Sequence, residues 1–274
     1  MSKSNVIKNG SLYMFGNLFN KAIAFVTVPI FTRILTTEEY GIVNTYNSWV
    51  PLLAVIVGLS LGNSIRNAFV DYKDELGEYI SSIFTLALIN FGVISAAVFV
   101  FSSQIEIQRT IMWFCLIESF FNFVINAAIM RYMMEEKAGI QTILLVLPNL
   151  IGVIISIILI IWLPSDKHFG RILGTFTSTT IVGLVVLVTY YIRYKSFVNK
   201  KYWKYALPIS LPLIFHGLSC NVLGTSDRTI ITYFCGAAQT GIYSLIYNLG
   251  MVANVITAAA EAVWIPRMTR DLQN

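Results

Sequence analysis

Three charged side chains lie inside long apolar segments of the sequence, where a charge is costly. They are Lys21, Glu118 and Glu261. A lysine at the centre of a membrane helix costs about 2.5–3.5 kcal/mol on insertion scales, so such a residue usually faces a cavity or a partner. We therefore expect Lys21 to pair with Glu118 or Glu261 in a shared polar cavity. The alternative is a lysine that snorkels toward the cytoplasmic surface.

Each of these charges shares a helix face with uncharged polar side chains, at spacings of three or four residues. The neighbours are Asn17 for Lys21; Asn122 and Asn126 for Glu118; and Tyr247, Asn254 and Thr257 for Glu261. Such stripes favour a polar interior in which amide and phenol groups bind a polar substrate. Alternatively, intramembrane Asn, Ser and Thr only bond neighbouring helices together, contributing about 0.6–2 kcal/mol each.

Another apolar segment carries His216 and the adjacent pair Asp227 and Arg228. We expect His216 to be a packed or hydrogen-bonded side chain rather than a proton switch. Asp227 and Arg228 fall near the outer end of their segment. They form either a structural pair or a contact with substrate.

The composition predicts an all-α, polytopic transmembrane helical bundle. Of 274 residues, 56% are hydrophobic and only 12% charged, and the mean hydropathy is +0.70. Soluble domains carry about 25% charged residues. About 20 apolar residues cross a bilayer, and no strand-like alternation is present. We place eight spans at residues 11–35, 41–63, 79–101, 110–132, 139–163, 170–192, 205–233 and 241–265.

The basic residues predict the orientation of these spans in the inner (cytoplasmic) membrane. With the N-terminus in the cytoplasm, thirteen of the 19 Lys and Arg residues lie inside, five lie outside and Lys21 lies within a span. That asymmetry fits the positive-inside rule. The five outer residues are Arg33, Arg109, Lys167, Arg171 and Arg228. Because the basic residues occupy short gaps between spans, the net charge of +5 does not indicate nucleic-acid binding.

The sequence gives no sign of an enzyme, a metal site or a cofactor. Cys115, Cys220 and Cys235 lie in or beside apolar segments without metal-ligand spacing, as small buried apolar residues do. No paired acids accompany a nucleophile, and no glycine-rich phosphate loop is present. The segment before Ala22 contains Asn17 and Asn20, so it is not a cleavable signal peptide.

The first two spans resemble the last two. In each copy an arginine is followed by a short polar turn and then by a Gly-Ile pair that opens the next span. The Gly-Ile pairs begin at Gly41 and Gly241, 200 residues apart. Both copies have the same predicted orientation, so the repeat is parallel rather than inverted. We therefore expect a first bundle over residues 1–199 and the start of a second over residues 200–274.

Two motifs carry a resemblance to a known family. The first is Thr32, Arg33, Ile34 and Leu35, followed by Glu39, Tyr40 and Gly41. The second is Asp227 and Arg228, followed by Gly241, Ile242 and Tyr243, with a Trp264-Xaa-Pro266 ending. The chain thus resembles polysaccharide flippases, the O-antigen and capsule repeat-unit translocases of the multidrug/oligosaccharidyl-lipid/polysaccharide exporter superfamily.

The resemblance implies two MATE-like helical bundles that face a central cavity and move a polyprenyl-diphosphate-linked oligosaccharide across the membrane. Lys21 would then offset diphosphate charge, while the substrate-binding side chains would be Asn17, Asn122, Tyr247 and Asn254. The charge-pair or ion-coupling group would be Glu118, Glu261, Asp227 and Arg228. Partners would be membrane lipids and the glycosyltransferases and polymerase of the same pathway. Since the family has more helices, the chain is expected to be truncated.

Two alternatives stay open at this point. An ion-coupled multidrug exporter of the same superfamily would have a similar polar interior. A non-transporting membrane scaffold or fragment would use its polar stripes only to hold helices together.

Overall fold

The computed structural model describes residues 3–101 and 109–251, with side chains from Gly16 onward except those of residues 17, 24 and 101. Within these ranges the regular structure is helical throughout, which confirms the all-α bundle. The helices are α1 (Lys3–Ile34), α2 (Thr37–Val57), α3 (Ile65–Asp71), α4 (Leu76–Phe101), α5 (Arg109–Met134), α6 (Ala138–Trp162), α7 (Lys167–Tyr194), α8 (Lys200–Cys235) and α9 (described over 237–251).

Five of the described helices, α4 to α8, are long and apolar enough to cross a membrane. The α2–α3 pair gives a sixth candidate if the bent pair counts as one span. The chain is therefore a multi-pass helical membrane protein. Helix α1 overlaps the first predicted span, and the described part of α9 overlaps the start of the last one, so the total of eight spans remains a prediction.

The second predicted span, residues 41–63, is not one continuous helix. Helix α2 ends at Val57, and a 3₁₀ turn over Leu61–Ser64 leads into α3 at an angle of 59°. Leu59 and Ser60 have φ values of 48° and 51°, a left-handed conformation that ends a helix. The Asn90 amide of α4 donates to the carbonyls of Ile56 and Val57, at 2.9 Å each. The bend is stable because these freed carbonyls find a donor inside the bundle.

The Gly-Ile pairs of the proposed repeat meet directly, at the start of α2 and the start of α9. A Cβ atom on Gly41 would lie 1.8 Å from the carbonyl oxygen of Ala237, and one on Gly241 would lie 1.9 Å from that of Thr37. Only residues without a side chain allow such an approach of two backbones. We call this contact the glycine seam. Beside it, the Thr45 and Thr232 hydroxyls lie 2.7 Å apart.

Glu39 joins three segments at the end of the bundle where α1, α2 and α7 meet. Its carboxylate accepts the Thr36 backbone N–H at 2.9 Å, closing a capping box at the start of α2. The other oxygen accepts the Lys167 backbone N–H at 2.7 Å. Lys167 begins α7, so one carboxylate satisfies free N–H groups at two helix N-termini and lies at the positive end of both helix dipoles.

Glu39→Ala is expected to lower the free energy of unfolding by about 2 kcal/mol, because it removes charge-assisted bonds from two helix starts. A thermal melt of the purified protein in detergent should show a Tm lower by about 5 °C. Glu38→Ala is the matched control, since Glu38 is the exposed neighbour on the same helix turn. Equal melting of the two variants would show that the Glu39 contacts do not stabilise the fold.

Candidate functional site

A cavity of about 520 Å³ lies between α1, α2, α6, α7 and α9. Its wall combines apolar side chains with a set of amides, hydroxyls and two cations. The polar and charged lining residues are Asn20, Lys21, Thr27, Tyr40, Asn44, Asn47, Asn149, Arg171, Thr175, Tyr247 and Asn248.

Lys21 lines this cavity from α1 and has an exposed side chain. The adjacent Asn20 binds across to α6, where the Asn149 amide donates to its side-chain oxygen at 2.8 Å. This bond fixes α1 against α6 at the depth of Lys21. The lysine thus faces the hollow, as its place in an apolar span predicts.

Arg171 lines the same cavity from α7. Its guanidinium lies 4.3 Å from the ring centre of Phe31, and its Nη1 donates to the Ser156 hydroxyl at 3.0 Å. Phe31 follows Lys21 by ten residues on α1. At 1.5 Å per residue, the Cα atoms of Lys21 and Phe31 lie about 15 Å apart along α1.

The close packing of α6 and α7 holds Arg171 in this position. Gly170 and Gly174 flank it on α7 at the spacing of a membrane helix-packing motif. A Cβ on Gly174 would lie 2.1 Å from the Ser156 hydroxyl. That hydroxyl also donates to the Gly152 carbonyl at 2.6 Å. The Arg171 side chain therefore projects from the part of α7 that packs closely against α6.

Among the described residues that line the cavity there is no Asp or Glu. Lys21 and Arg171 give this wall a charge of +2, and amides and hydroxyls line the space with them. Cations in a site partly shielded from water attract anions more strongly than they would at a surface. The arrangement is suited to an anionic ligand that also carries hydroxyl groups.

Helix α9 contributes Tyr247 and Asn248 to the wall. The Asn248 amide donates to the Tyr40 hydroxyl of α2 at 3.1 Å. Behind Tyr247, the Arg228 guanidinium lies 4.5 Å from the ring centre and binds Asp227 at 3.2 Å. Asp227 also accepts the Tyr243 hydroxyl. Asp227 and Arg228 therefore support the lining residue Tyr247 from outside the cavity.

Glu118 lies at a different place from Lys21. Its carboxylate is 5% exposed and accepts the Tyr46 hydroxyl of α2 at 2.5 Å and the Thr179 hydroxyl of α7 at 3.5 Å. Within residues 3–101 and 109–251 no ion pair joins Lys21 to Glu118. Two hydroxyl groups, rather than the expected lysine, bind this buried carboxylate.

The structure brings only some of the predicted site residues together. Lys21 and Tyr247 line the cavity, whereas Asn122 is on α5 and accepts the Asn126 amide at 2.6 Å. Asn254, Glu261 and the side chain of Asn17 lie outside the described residues.

The sequence reasoning missed Arg171, Asn149, Tyr40 and Asn248 as lining residues. The positive-inside count places Arg171 among the outer basic residues. Its two flanking glycines were a usable signal, since they predict a packed rather than a solvated helix face.

These features define the chain as a multi-pass helical membrane protein with a cationic, amide-rich cavity among its helices. Within this class, the chain belongs to the polysaccharide biosynthesis protein family, whose profile matches residues 6–271. The resemblance drawn from the two motifs at Thr32–Gly41 and Asp227–Tyr243 is thereby confirmed.

Two proteins of Haemophilus influenzae are similar to this chain. Protein 1 of the Lsg locus is 24% identical over 270 residues, which is 95% of this chain and 65% of that protein. A membrane protein described as uncharacterized is 23% identical over 280 residues, covering 98% of this chain and 66% of that protein. The chain thus spans about two thirds of the length of these relatives.

A solved structure, called protein A, has a similar fold. It superposes with a TM-score of 0.60 over 92% of this chain and 61% of that chain, at 16% sequence identity. At this identity the likeness concerns the fold alone.

Proposed function

We propose that this protein is a flippase that translocates a polyprenyl-diphosphate-linked oligosaccharide across the cytoplasmic membrane during polysaccharide biosynthesis. Membership of the polysaccharide biosynthesis family supports the pathway. The class of substrate is inferred from the cavity, whose described lining residues include two cations and no carboxylate.

The physical problem for such a protein is to move a diphosphate and several sugars through hydrocarbon without exposing them to it. Lys21 and Arg171 offset the negative charge of the diphosphate, and no covalent chemistry is required. The amides of Asn20, Asn44 and Asn149 replace water as partners for sugar hydroxyls. Each amide both donates and accepts, which suits hydroxyl groups that do the same.

The two cations suit different parts of one ligand. Arg171 lies beside Phe31, whose backbone is about 15 Å from that of Lys21 along α1. We assign the diphosphate to one cation and an anionic or hydroxyl-rich sugar to the other. Tyr40 and Tyr247 add aromatic faces on which sugar rings pack.

Under this proposal the partners are the lipid-linked oligosaccharide, the surrounding lipids, and the glycosyltransferases and polymerase of the same pathway. The N-terminus and the α5–α6 and α7–α8 turns face the cytoplasm, as the basic residues predict. Residues 1–199 form the first bundle and residues 200–274 begin the second. Helices α2 and α9 meet between them at the glycine seam.

Binding measurements can distinguish the proposed flippase from a multidrug exporter of the same superfamily. Many exported drugs are lipophilic cations, which Lys21 and Arg171 would repel. We expect the purified protein in lipid nanodiscs to bind inorganic pyrophosphate and not tetraphenylphosphonium. Isothermal titration calorimetry of both probes provides the measurement.

The double variant Lys21→Gln, Arg171→Gln should lose pyrophosphate binding, because both counter-charges are removed while polar side chains are kept. Preference for tetraphenylphosphonium would favour the drug exporter. Binding of neither probe by the folded wild-type protein would favour a scaffold without a transport site.

A further inference from the structure

The turn between α7 and α8 is strongly basic. Five of the twelve residues at positions 193–204 are Lys or Arg, and no Asp or Glu occurs from position 167 to position 226. None of the five forms an ion pair with a described residue. Lys201 lies 4.9 Å from the ring centre of Tyr72, and the other exposed cations are Arg193, Lys195, Lys200 and Lys204. We call these last four residues the basic patch.

The basic residues of the α5–α6 turn, on the same predicted side of the membrane, are neutralised by an acid. Arg131 and Lys137 both bind Glu135, at 2.6 Å each. The positive-inside rule explains why cations gather on one side of a membrane, but it does not explain why one group stays without acidic partners. Four neighbouring unpaired cations repel one another, so the basic patch favours a bound anion.

Two acidic residues lie against α8, on a different face from the patch lysines. Glu75 accepts the Tyr202 hydroxyl at 2.7 Å, and Asp71 accepts the Tyr205 hydroxyl. Lys200 and Lys204 are four residues apart and share a helix face that does not include Tyr202. These carboxylates therefore bind phenol groups and leave the patch lysines unpaired.

The α7–α8 turn is fixed at the depth of the membrane interface. The Asn199 backbone N–H donates to the Ser82 hydroxyl of α4 at 3.1 Å, and the Trp203 indole N–H donates to the Ser82 carbonyl at 3.0 Å. Ser82 lies six residues into the candidate span Leu76–Val100, about 9 Å from its start. The turn thus lies beside the second helical turn of α4, where lipid headgroups meet the hydrocarbon, and not beyond the membrane.

Two exposed apolar side chains lie between the patch cations in the sequence. Phe197 is 51% exposed and Val198 is 61% exposed. The ring centre of Phe197 lies 5.1 Å from that of Tyr191, whose hydroxyl is 3.1 Å from the Thr85 hydroxyl of α4. Cations beside exposed apolar side chains are the arrangement by which a protein segment binds the surface of an anionic membrane.

We propose that the basic patch binds an anionic phospholipid of the cytoplasmic leaflet, with the lipid phosphate among the Lys and Arg side chains and the acyl chains against Phe197 and Val198. The bound lipid neutralises the patch and secures the α7–α8 turn in the membrane interface. Since the patch lies outside the cavity lining, this inference is independent of the proposed function.

The test is a thermal melt of the purified protein in dodecyl maltoside micelles that contain rising mole fractions of one phospholipid. Dioleoylphosphatidylglycerol is the anionic probe. Dioleoylphosphatidylcholine, which has the same acyl chains and no net charge, is its control. A ligand that binds only the folded state raises the melting temperature, so the lipid fraction needed for a given rise reports the affinity.

We expect phosphatidylglycerol to raise the melting temperature of the wild-type protein at a mole fraction at which phosphatidylcholine does not. The double variant Lys195→Gln, Lys200→Gln should need about twentyfold more phosphatidylglycerol for the same rise, because each cation near an anionic lipid surface contributes about fivefold in affinity.

The double variant Lys73→Gln, Lys137→Gln is the matched control. It removes the same charge from the same predicted side of the membrane, and both lysines are exposed and have an acidic neighbour. It should respond to phosphatidylglycerol as the wild-type protein does. Each variant is compared with itself in lipid-free micelles, so that a loss of stability is not mistaken for a loss of binding.

An equal loss of response in the patch variant and the control variant would show that overall charge, rather than the patch, attracts the lipid. Equal rises with the two phospholipids in the wild-type protein would also overturn the inference. A rise with glycerol 3-phosphate that disappears in Lys195→Gln, Lys200→Gln would show that the patch binds soluble phosphates instead. None of these results bears on pyrophosphate binding by the cavity.

Discussion

Lys21→Glu is expected to weaken pyrophosphate binding by about a hundredfold or more. The substitution reverses the charge of a side chain that faces the cavity, so an attraction becomes a repulsion at the same place. Lys21 has an exposed side chain and no ion pair among the described residues, so little packing is lost with it. Calorimetry with purified protein in nanodiscs measures the change.

Lys204→Glu is the matched control for this reversal. Lys204 is exposed near the start of α8, outside the cavity lining, and a glutamate is well tolerated in the first turns of a helix. Both variants change the net charge by the same amount. Similar losses of affinity in the two would mean that the overall charge of the protein, rather than the cavity, attracts the anion.

Gly41→Ala is expected to prevent assembly of the folded bundle. Its methyl group would meet the Ala237 carbonyl oxygen at 1.8 Å, and neither backbone can turn away as a side chain could. Helices α2 and α9 would have to separate along the glycine seam, at a cost of at least about 3 kcal/mol. The yield of monodisperse protein after extraction in mild detergent should fall about tenfold or more.

Gly92→Ala makes the same chemical change in an open part of α4, where nothing lies within 4 Å of the added methyl group. Since alanine is the better helix former by up to about 1 kcal/mol, this variant should be as stable as the wild-type protein or slightly more so. Opposite outcomes for the two variants support the seam. If Gly41→Ala is as stable as Gly92→Ala, the two helix ends do not touch in the folded protein.

The helices were largely predictable from the sequence because apolar segments of sufficient length have one stable form in a bilayer. The predicted span over residues 139–163 and helix α6 (Ala138–Trp162) differ by one residue at each end. The bend after Val57 was not predictable from hydropathy. It depends on Asn90, a residue of another helix that satisfies the freed carbonyls.

The cavity was predictable only in part. Lys21 stood out because a charge in mid-span is unusual, and it does line the hollow. Arg171 did not stand out, since an arginine near a span end usually faces water. Its position follows from the close packing of α6 against α7, which no single segment of sequence contains. For the same reason, the sequence could not show that Glu118 binds Tyr46 and Thr179 rather than Lys21.

The glycine seam also restricts how the protein can diverge. Each of its two glycines lies against the main chain of the opposite helix start, so a larger residue at either position would meet backbone atoms and not a side chain that a second mutation could shorten. A mutation at one of these glycines therefore cannot make room for a larger residue at the other, although the two positions are 200 residues apart in the sequence. We therefore expect both positions to stay glycine in relatives of this chain, even where the surrounding sequence has changed.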